Sequence, residues 1–399
     1  MRLLLIVDDY LPHSIKVAAK MMHELAVEFV HRGHDITVLT PNSALKERLS
    51  VKELEGVRIL SFKSGEIKNI GRIQRAINET FLSTLAWIAV KRYLRENVPD
   101  AVIYYSPTIF FGSLVGKIKR NWKVKSYLIL RDVFPQWTVD NGLIRENSLI
   151  HRYFRYYERI NYKNADWIGV MSPSNLSFFK TLPIDIDKFE VLFNWSKIGR
   201  VEKTQCVYRK QLGLEDKVVF FYGGNIGVAQ NMQNLIRLAI NLKDNEKAHL
   251  LFVGEGDEVD LILSEKNRNH LDNMTYLPPV NQDIYFEMMN EFDVGLFSLH
   301  PEHTTHNFPG KLLGYMEYSK PILGSVNMGN DLMDVISKNK AGYIFENGND
   351  EELCKAAIEL INSESLRIKT GENGRELLIK QFSVERACTQ IENRFINYD

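Results

Sequence analysis

Val218-Val219-Phe220-Phe221-Tyr222-Gly223-Gly224-Asn225-Ile226-Gly227 decides the fold. Five consecutive apolar residues, rich in β-branched and aromatic side chains, predict a buried strand. Glycines follow at once, which can take positive φ and let a ligand approach the backbone closely. Met232-Gln233-Asn234-Leu235-Ile236-Arg237-Leu238 then has helical spacing. Strand, glycine turn and helix in that order form the repeating unit of a parallel α/β sheet. The turn has neither the full dinucleotide fingerprint nor a P-loop lysine, so alone it suits packing as well as ligand binding.

The same unit recurs on both sides. Downstream, strands are predicted at 249–253, 274–276, 294–298, 321–323 and 341–345. Helical patterns follow at 351–361 and 366–381, and a last one runs from 383 toward 396. Upstream, strands are predicted at 3–7, 35–39, 57–62, 101–105, 126–130, 166–171 and 189–193. Helical patterns at 15–32, 73–96, 110–120 and 150–164 lie between most of them. The polar, charged stretch 194–214 breaks this rhythm. The expectation is therefore an α/β protein with two doubly wound domains, 1–198 and 199–382, and a C-terminal helix, 383–399, packed back on the first. Such sheets bind ligands outside strand C-termini, here in the crevice between the domains.

Composition narrows the class. A chain of 399 residues with 45% hydrophobic and 25% charged content is long enough for two cores and is not disordered. Three cysteines (Cys206, Cys354, Cys388) at no metal spacing suggest a reducing compartment and no disulfide framework. The opening Met1-Arg2-Leu3-Leu4-Leu5-Ile6-Val7 meets Asp8-Asp9 and reads as a first strand, not as a leader. The apolar stretch 81–90 is far short of a membrane span. Net charge is zero, yet residues 1–199 hold 29 Lys/Arg against 20 Asp/Glu, and residues 200–399 hold 21 against 30. A basic first half is drawn to anionic lipid by roughly 1 kcal/mol for each basic residue near the surface. A neutral chain without a nucleic-acid module is not expected to bind nucleic acid.

The second chemical signal is His306-Asn307-Phe308-Pro309-Gly310-Lys311-Leu312-Leu313-Gly314-Tyr315-Met316, ahead of Lys320-Pro321-Ile322-Leu323. Pro309 lacks an N–H and suits a helix start. The unpaired N–H groups there, the helix dipole and the Lys311 charge would make an anion site fitted to a diphosphate. An ordinary helix with a surface lysine is the rival. His300, Glu302, His303 and His306 resemble a zinc box, but Pro301 and Pro309 argue for a loop, and no metal is expected. His306 can donate or accept hydrogen bonds to a polar ligand.

Elsewhere each candidate has a structural rival. Asp8-Asp9 would lie at an acceptor site or cap the helix near Ser14. Lys16 and Lys20 are a turn apart and could hold a diphosphate or face water. Asp132 could orient an acceptor hydroxyl or take its proton, or form a buried pair with Arg131. Lys117, Lys119, Arg120, Lys123 and Lys125 around Trp122, and Lys63, Lys68, Arg72 and Arg75, suit a membrane interface or a solvated surface.

With these motifs placed, the chain resembles the family-4 retaining glycosyltransferases. The resemblance rests on His31-Arg32-Gly33-His34-Asp35-Ile36-Thr37-Val38-Leu39-Thr40, Arg131-Asp132-Val133-Phe134-Pro135, Tyr222–Gly227, Phe252-Val253-Gly254-Glu255-Gly256 and the Pro309-Gly310-Lys311 helix. It covers nearly the whole length and looks nearest to O-antigen and capsule transferases of UDP-N-acetyl-L-fucosamine. It implies a GT-B fold, two facing Rossmann-like domains, the first binding acceptor and the second the nucleotide sugar. It implies that Gly223, Gly224, Asn225 and Gly227 approach the diphosphate and that Lys311 neutralises it as it leaves. The base would sit at Leu277-Pro278-Pro279. The family commonly has two glutamates eight residues apart across the Lys311 helix, where this chain has His306 and Gly314. Glu317 or Glu302 could then serve the ribose, with Pro309 and Gly310 shaping the helix mouth. Relatives often carry a lysine where this chain has Gln230 and Asn231.

The expected activity is sugar transfer from a UDP donor to a polyprenyl-diphosphate-linked saccharide, without metal or cofactor. The expected place is the inner face of the cytoplasmic membrane. A nucleotide-sugar 2-epimerase and a non-catalytic partner of a polysaccharide assembly complex are the alternatives.

Overall fold

The computed structural model describes every residue except Ile15, Asn69, Asn141, Pro183, 200–205, 303–308 and 397–399, and except the side chains of Arg72, Trp137 and Asp140. The chain divides into two compact units, Met1–Lys197 with Val384–Asp399, and Ile198–Ser383.

The first unit is built on β1 (Arg2–Ile6), β2 (Asp35–Asn42), β3 (Leu49–Leu54), β4 (Val57–Lys63), β5 (Ala101–Ser106), β6 (Lys125–Leu130), β7 (Trp167–Val170) and β8 (Phe189–Val191). Their order is β3-β4-β2-β1-β5-β6-β7-β8. Successive strand side chains point to opposite faces, so a strand covered on both sides must be apolar throughout. Leu3 and Leu5 accordingly join Met22, Leu25 and Phe29 of α1 (Val17–His31), whereas Leu4 and Ile6 face Leu82 and Ala86 of α2 (Arg72–Glu96) and Leu114 of α3 (Gly112–Trp122). Helix α4 (Leu149–Lys163) packs beside α3.

The C-terminal helix Val384–Ile396 belongs to this unit, with Ala387, Cys388 and Ile391 in the α1 layer. The His31-Arg32-Gly33-His34 motif has a structural use here. Gly33, at φ 81°, ends α1 in the left-handed conformation that glycine adopts without strain. Arg32 and His34 then reach Glu392 at 3.0 and 2.7 Å.

Strand β3 has no counterpart in the sequence reading. It pairs antiparallel with β4 at the sheet edge, and Val51, Lys52 and Glu53 are exposed. Glu55 and Gly56 close the hairpin with φ of 49° and 78°, the pair of positive values a tight two-residue hairpin turn requires.

The basic clusters are partly consumed inside the unit. Lys119 pairs with Asp166 at 2.5 Å and donates to the Asn164 carbonyl, and Trp122 tilts against Trp87. Lys68 binds Asp8 and Asp9, and Arg75 binds Glu79. Among the described residues no helix is long and apolar enough to cross a membrane.

The second unit contains β9 (Val218–Gly223), β10 (Ala248–Val253), β11 (Met274–Leu277), β12 (Val294–Ser298), β13 (Ile322–Val326) and β14 (Gly342–Glu346). All neighbours are parallel, in the order β11-β10-β9-β12-β13-β14. Numbered within the unit this is 3-2-1-4-5-6, the doubly wound order whose switch point falls between its first and fourth strands. Its helices include α5 (Met232–Asn241), α6 (Val259–Asn269) and α7 (Lys311–Glu317). The strand read at 218–222 is buried at every residue.

Candidate active site

The glycine turn lies at the carboxyl end of β9, at the switch point. Gly223 is buried, and a Cβ on it would fall 2.2 Å from the Tyr285 ring. Gly224 takes φ 112° and, with Asn225, is exposed. Gly224 N–H donates to the Val253 carbonyl (2.9 Å) and Ile226 N–H to that of Glu255 (2.8 Å). The N–H groups of Asn225 and Gly227 have no hydrogen-bond partner among the described residues. Two donors of the turn therefore stay open.

A second glycine turn supports the first. A Cβ on Gly254 would stand 1.9 Å from the Gly224 carbonyl oxygen, and one on Gly256 2.2 Å from that of Ile226. The Gly254-Glu255-Gly256 motif is thus demanded by backbone packing on its neighbour.

Tyr315 fixes α7 to this edge. It is fully buried, and its hydroxyl lies 3.1 Å from the Phe221 carbonyl and 3.0 Å from the Leu296 carbonyl. It also accepts Gly223 N–H at 3.4 Å. Gly295 makes room, since a Cβ there would meet the Tyr315 ring at 2.4 Å. Lys311 is one helical turn earlier, on the same face. Its Nζ stands 3.7 Å from the centroid of the Tyr222 ring and 3.8 Å from the place a Gly224 Cβ would occupy. Burial lowers the Lys311 pKa to about 7, and among the described residues no carboxylate offsets that burial. A desolvated cation held by an aromatic face beside open N–H donors is an incomplete anion site.

The helix contributes less than its sequence suggests. It has seven residues, and Leu312 and Leu313 N–H already donate to the carbonyls of Pro309 and Gly310, at 3.1 Å each. Lys311, and not the helix dipole, supplies the positive charge. Gly310 is exposed at the helix mouth with room around it. Glu317 accepts Gly199 N–H at 2.9 Å, so its carboxylate holds local backbone. Tyr318 beside it stacks on Phe286. Glu302 is exposed, and its N–H donates to His300 Nδ1 at 3.2 Å. His306 lies outside the described residues. The Leu277 carbonyl accepts Gly254 N–H at 3.2 Å, leaving its half-buried side chain as the surface it can offer. At Gly314 a Cβ would meet Met289 Cε at 3.2 Å, so a longer side chain must displace that thioether. Asn231 caps α5, and Gln230 accepts from Asn225 Nδ2 at 2.6 Å. Gln230 and Asn231 are thus engaged in local structure.

The first unit has its own polar set at the switch point between β1 and β5. Lys68 Nζ lies 3.4 Å from Asp8 and 2.5 Å from Asp9, and Ser14 Oγ donates to Asp9 at 2.7 Å. Burial raises the Asp8 pKa, against the pull of Lys68 and with the push of Asp9. Asp132 reaches solvent, yet the protein packed around it raises its pKa, Asp8 adding to the effect and Arg75 opposing it. The rival reading of a buried Arg131–Asp132 pair fails. Arg131 is buried and spends its guanidinium on the Leu130, Gly169 and Phe193 carbonyls and the Trp195 ring. Lys20 pairs loosely with Glu24 at 3.9 Å, and Lys16 precedes α1 as an exposed residue.

Sequence reading did not single out Tyr222, Tyr285, Tyr315 or Lys68 as site-forming. Tyr222 reads only as part of a buried strand, which is correct of its ring and misses what its face does.

Residues 205–377 match the family model "Glycosyl transferases group 1". The match falls within the second unit. The chain is 25% identical over 225 residues to "Probable glycosyltransferase WbjE" of Pseudomonas aeruginosa, 55% of each chain. It is 25% identical over 227 residues to "Capsular polysaccharide biosynthesis glycosyltransferase CapM" of Staphylococcus aureus, covering 55% of this chain and 54% of that one. The chain thus spans about half the length of either relative. Anabaena HepE, solved in complex with UDP, matches all of both chains with a TM-score of 0.70 at 15% identity. That likeness shows the fold. The chain has the α/β, two-sheet architecture of the GT-B glycosyltransferases, and the second unit, where the family model matches, carries the Gly223–Gly227 turn, Lys311 and Tyr315.

Proposed function

We propose that the chain is a retaining glycosyltransferase of polysaccharide assembly. It would move a sugar from a UDP donor to a polyprenyl-diphosphate-linked saccharide at the inner face of the cytoplasmic membrane. N-acetyl-L-fucosamine is the candidate sugar. The observation that carries this reading is Lys311, a buried cation without a carboxylate partner among the described residues, beside the N–H groups of Asn225 and Gly227 left open among them. HepE, of the same fold, binds UDP, which supports a nucleotide donor here.

In this mechanism Asn225 and Gly227 hold the diphosphate through backbone N–H groups. Lys311 stabilises the charge that grows on it as the glycosidic bond breaks, the kind of preorganised electrostatics that lowers such barriers most. Leu277 supports the base, and Asp132, its pKa raised, orients the acceptor hydroxyl and takes its proton. No metal is needed.

The test is mass spectrometry of a lipid-diphosphate-GlcNAc acceptor incubated with the full chain and a panel of UDP-sugars, with and without EDTA. A mass gain with one donor, unchanged by EDTA, is expected. Absence of gain with every donor overturns the reading for this acceptor class.

UDP binding has a pH signature of its own. Free Lys311, with a pKa near 7, is mostly neutral at pH 8, and a bound diphosphate restores its charge. Binding at pH 8 should therefore take up a proton, and affinity should fall by up to about tenfold per pH unit above 7. Calorimetry in two buffers of different ionisation enthalpy measures this directly. Affinity independent of pH between 7 and 9 would remove Lys311 from the phosphate site.

A further inference from the structure

The first unit presents an apolar stripe that its core does not use. On α2, Ile73 (80% exposed), Ile77 (53%) and Phe81 (54%) recur every four residues and share one face. On α4, Leu149 (84% exposed), Tyr153 and Tyr156 (60%) recur in the same manner. The two helices meet here, where the Thr80 and Tyr153 hydroxyls are hydrogen-bonded. The patch is rigidly backed, because Phe110 lies 2% exposed beneath it and touches the rings of Phe154 and Tyr157. Isolated exposed apolar residues need no explanation, but a continuous stripe over two helices does.

The charge around the stripe selects the occupant. Arg152, Arg159 and Lys163 lie on the exposed line of α4 that carries Leu149, Tyr153 and Tyr156. The one carboxylate in the α4 sequence, Glu158, is buried and paired with Arg155 at 2.8 Å. On α2, Glu79 is largely covered and bound by Arg75. Aliphatic side chains, tyrosines at their border and flanking basic residues match the layers of an anionic bilayer surface. The basic cluster around Trp122 has no comparable apolar face. Lys119 and Lys125 there are committed to Asp166 and the Trp167 ring.

We propose that the α2–α4 face of the first unit is a docking surface for an anionic phospholipid bilayer. Ile73, Ile77, Phe81 and Leu149 enter the acyl boundary, and Arg152 and Arg159 lie at the headgroups. This deepens the reading of a lipid-linked acceptor, because the enzyme would then work on the surface that holds it. The surface does not depend on which sugar is transferred.

The experiment is flotation of the full chain with phosphatidylglycerol–phosphatidylethanolamine vesicles and with phosphatidylcholine vesicles. Binding to the anionic vesicles only, weakened by high salt, is expected. The double variants I77D/F81D and L149D/Y156D should each lower the bound fraction by about tenfold. These positions are exposed, so circular dichroism and solution UDP binding should stay as in the wild type. A milder variant, I73S/I77S, covers any loss of folding. R120E/K123N, in the cluster around Trp122, should float as the wild type does. Equal binding to both vesicle types, loss only in R120E/K123N, or a wild-type dimer that I77D/F81D splits would each overturn the proposal. UDP titration without vesicles reads the transferase proposal separately, so either can fail alone.

Discussion

Replacing Lys311 with methionine should lower turnover by about 10²- to 10³-fold, the usual cost of removing one preorganised charge at a developing anion. The variant should also stay folded and be more stable than the wild type at pH 6.5. The sign follows from the pKa, which burial places near 7 in the folded chain, against an ordinary value of 10.5. A base whose folded pKa is depressed is held charged at a cost below pH 7, and that cost fades as pH rises through 7 toward 10.5. Methionine keeps the unbranched stem over the Tyr222 ring and removes the charge. The gain in melting temperature should therefore be largest near pH 6.5 and vanish near pH 10.5. Scanning calorimetry across that range, with steady-state rates on the same samples, separates the two effects. A variant that is more stable yet turns over at the wild-type rate would show that Lys311 is merely a strained core lysine.

Much of this was legible before the fold was known. Continuous apolar runs locate the strands, because a strand such as β9, buried at every residue, has no polar option. Strand β3 escaped for the opposite reason, since an edge strand half in water need not look apolar. The glycine turn and Lys311 were visible as residue types. What ties them together was not, because it depends on three-dimensional register. Tyr315 reaches two carbonyls on β9 and β12 that are 94 and 19 residues away in sequence. The α7 dipole was overvalued, since the sequence did not show that Leu312 and Leu313 N–H would be used locally. The partners of the basic clusters are hidden for a similar reason. Lys119 finds Asp166, 47 residues on, and Lys68 finds Asp8 and Asp9, 60 and 59 residues earlier. A charge run read without its partners always looks more available than it is.

The second large effect should come from a residue that touches no ligand. Gly254→Ala places a methyl 1.9 Å from the Gly224 carbonyl oxygen, and the neighbouring atoms are backbone, not the end of a flexible side chain. The two turns would have to part by more than about 1 Å to reach ordinary contact. They are not free to do so. Gly224 N–H is bound to the Val253 carbonyl, Gly254 N–H to that of Leu277, and the Gly254 carbonyl accepts the Tyr276 hydroxyl at 3.1 Å. Overpacking of this sort costs about 1–3 kcal/mol of stability, or more where backbone must move. The larger consequence is functional, because Gly224 moves with Asn225 and Gly227. A displacement of about 1 Å in positioning groups can cost about 10²-fold in rate. Gly329→Ala is the matched control, for it has φ 73° and nothing within 4 Å of the new Cβ. It should lose only the left-handed backbone preference, about 1–2 kcal/mol, and keep its UDP affinity. UDP binding per folded molecule, measured by calorimetry at a temperature where both variants are native, distinguishes them. If Gly254→Ala bound UDP as tightly as Gly329→Ala, the paired glycine turns would be packing alone, and the donor site would have to be sought elsewhere on this edge of the sheet.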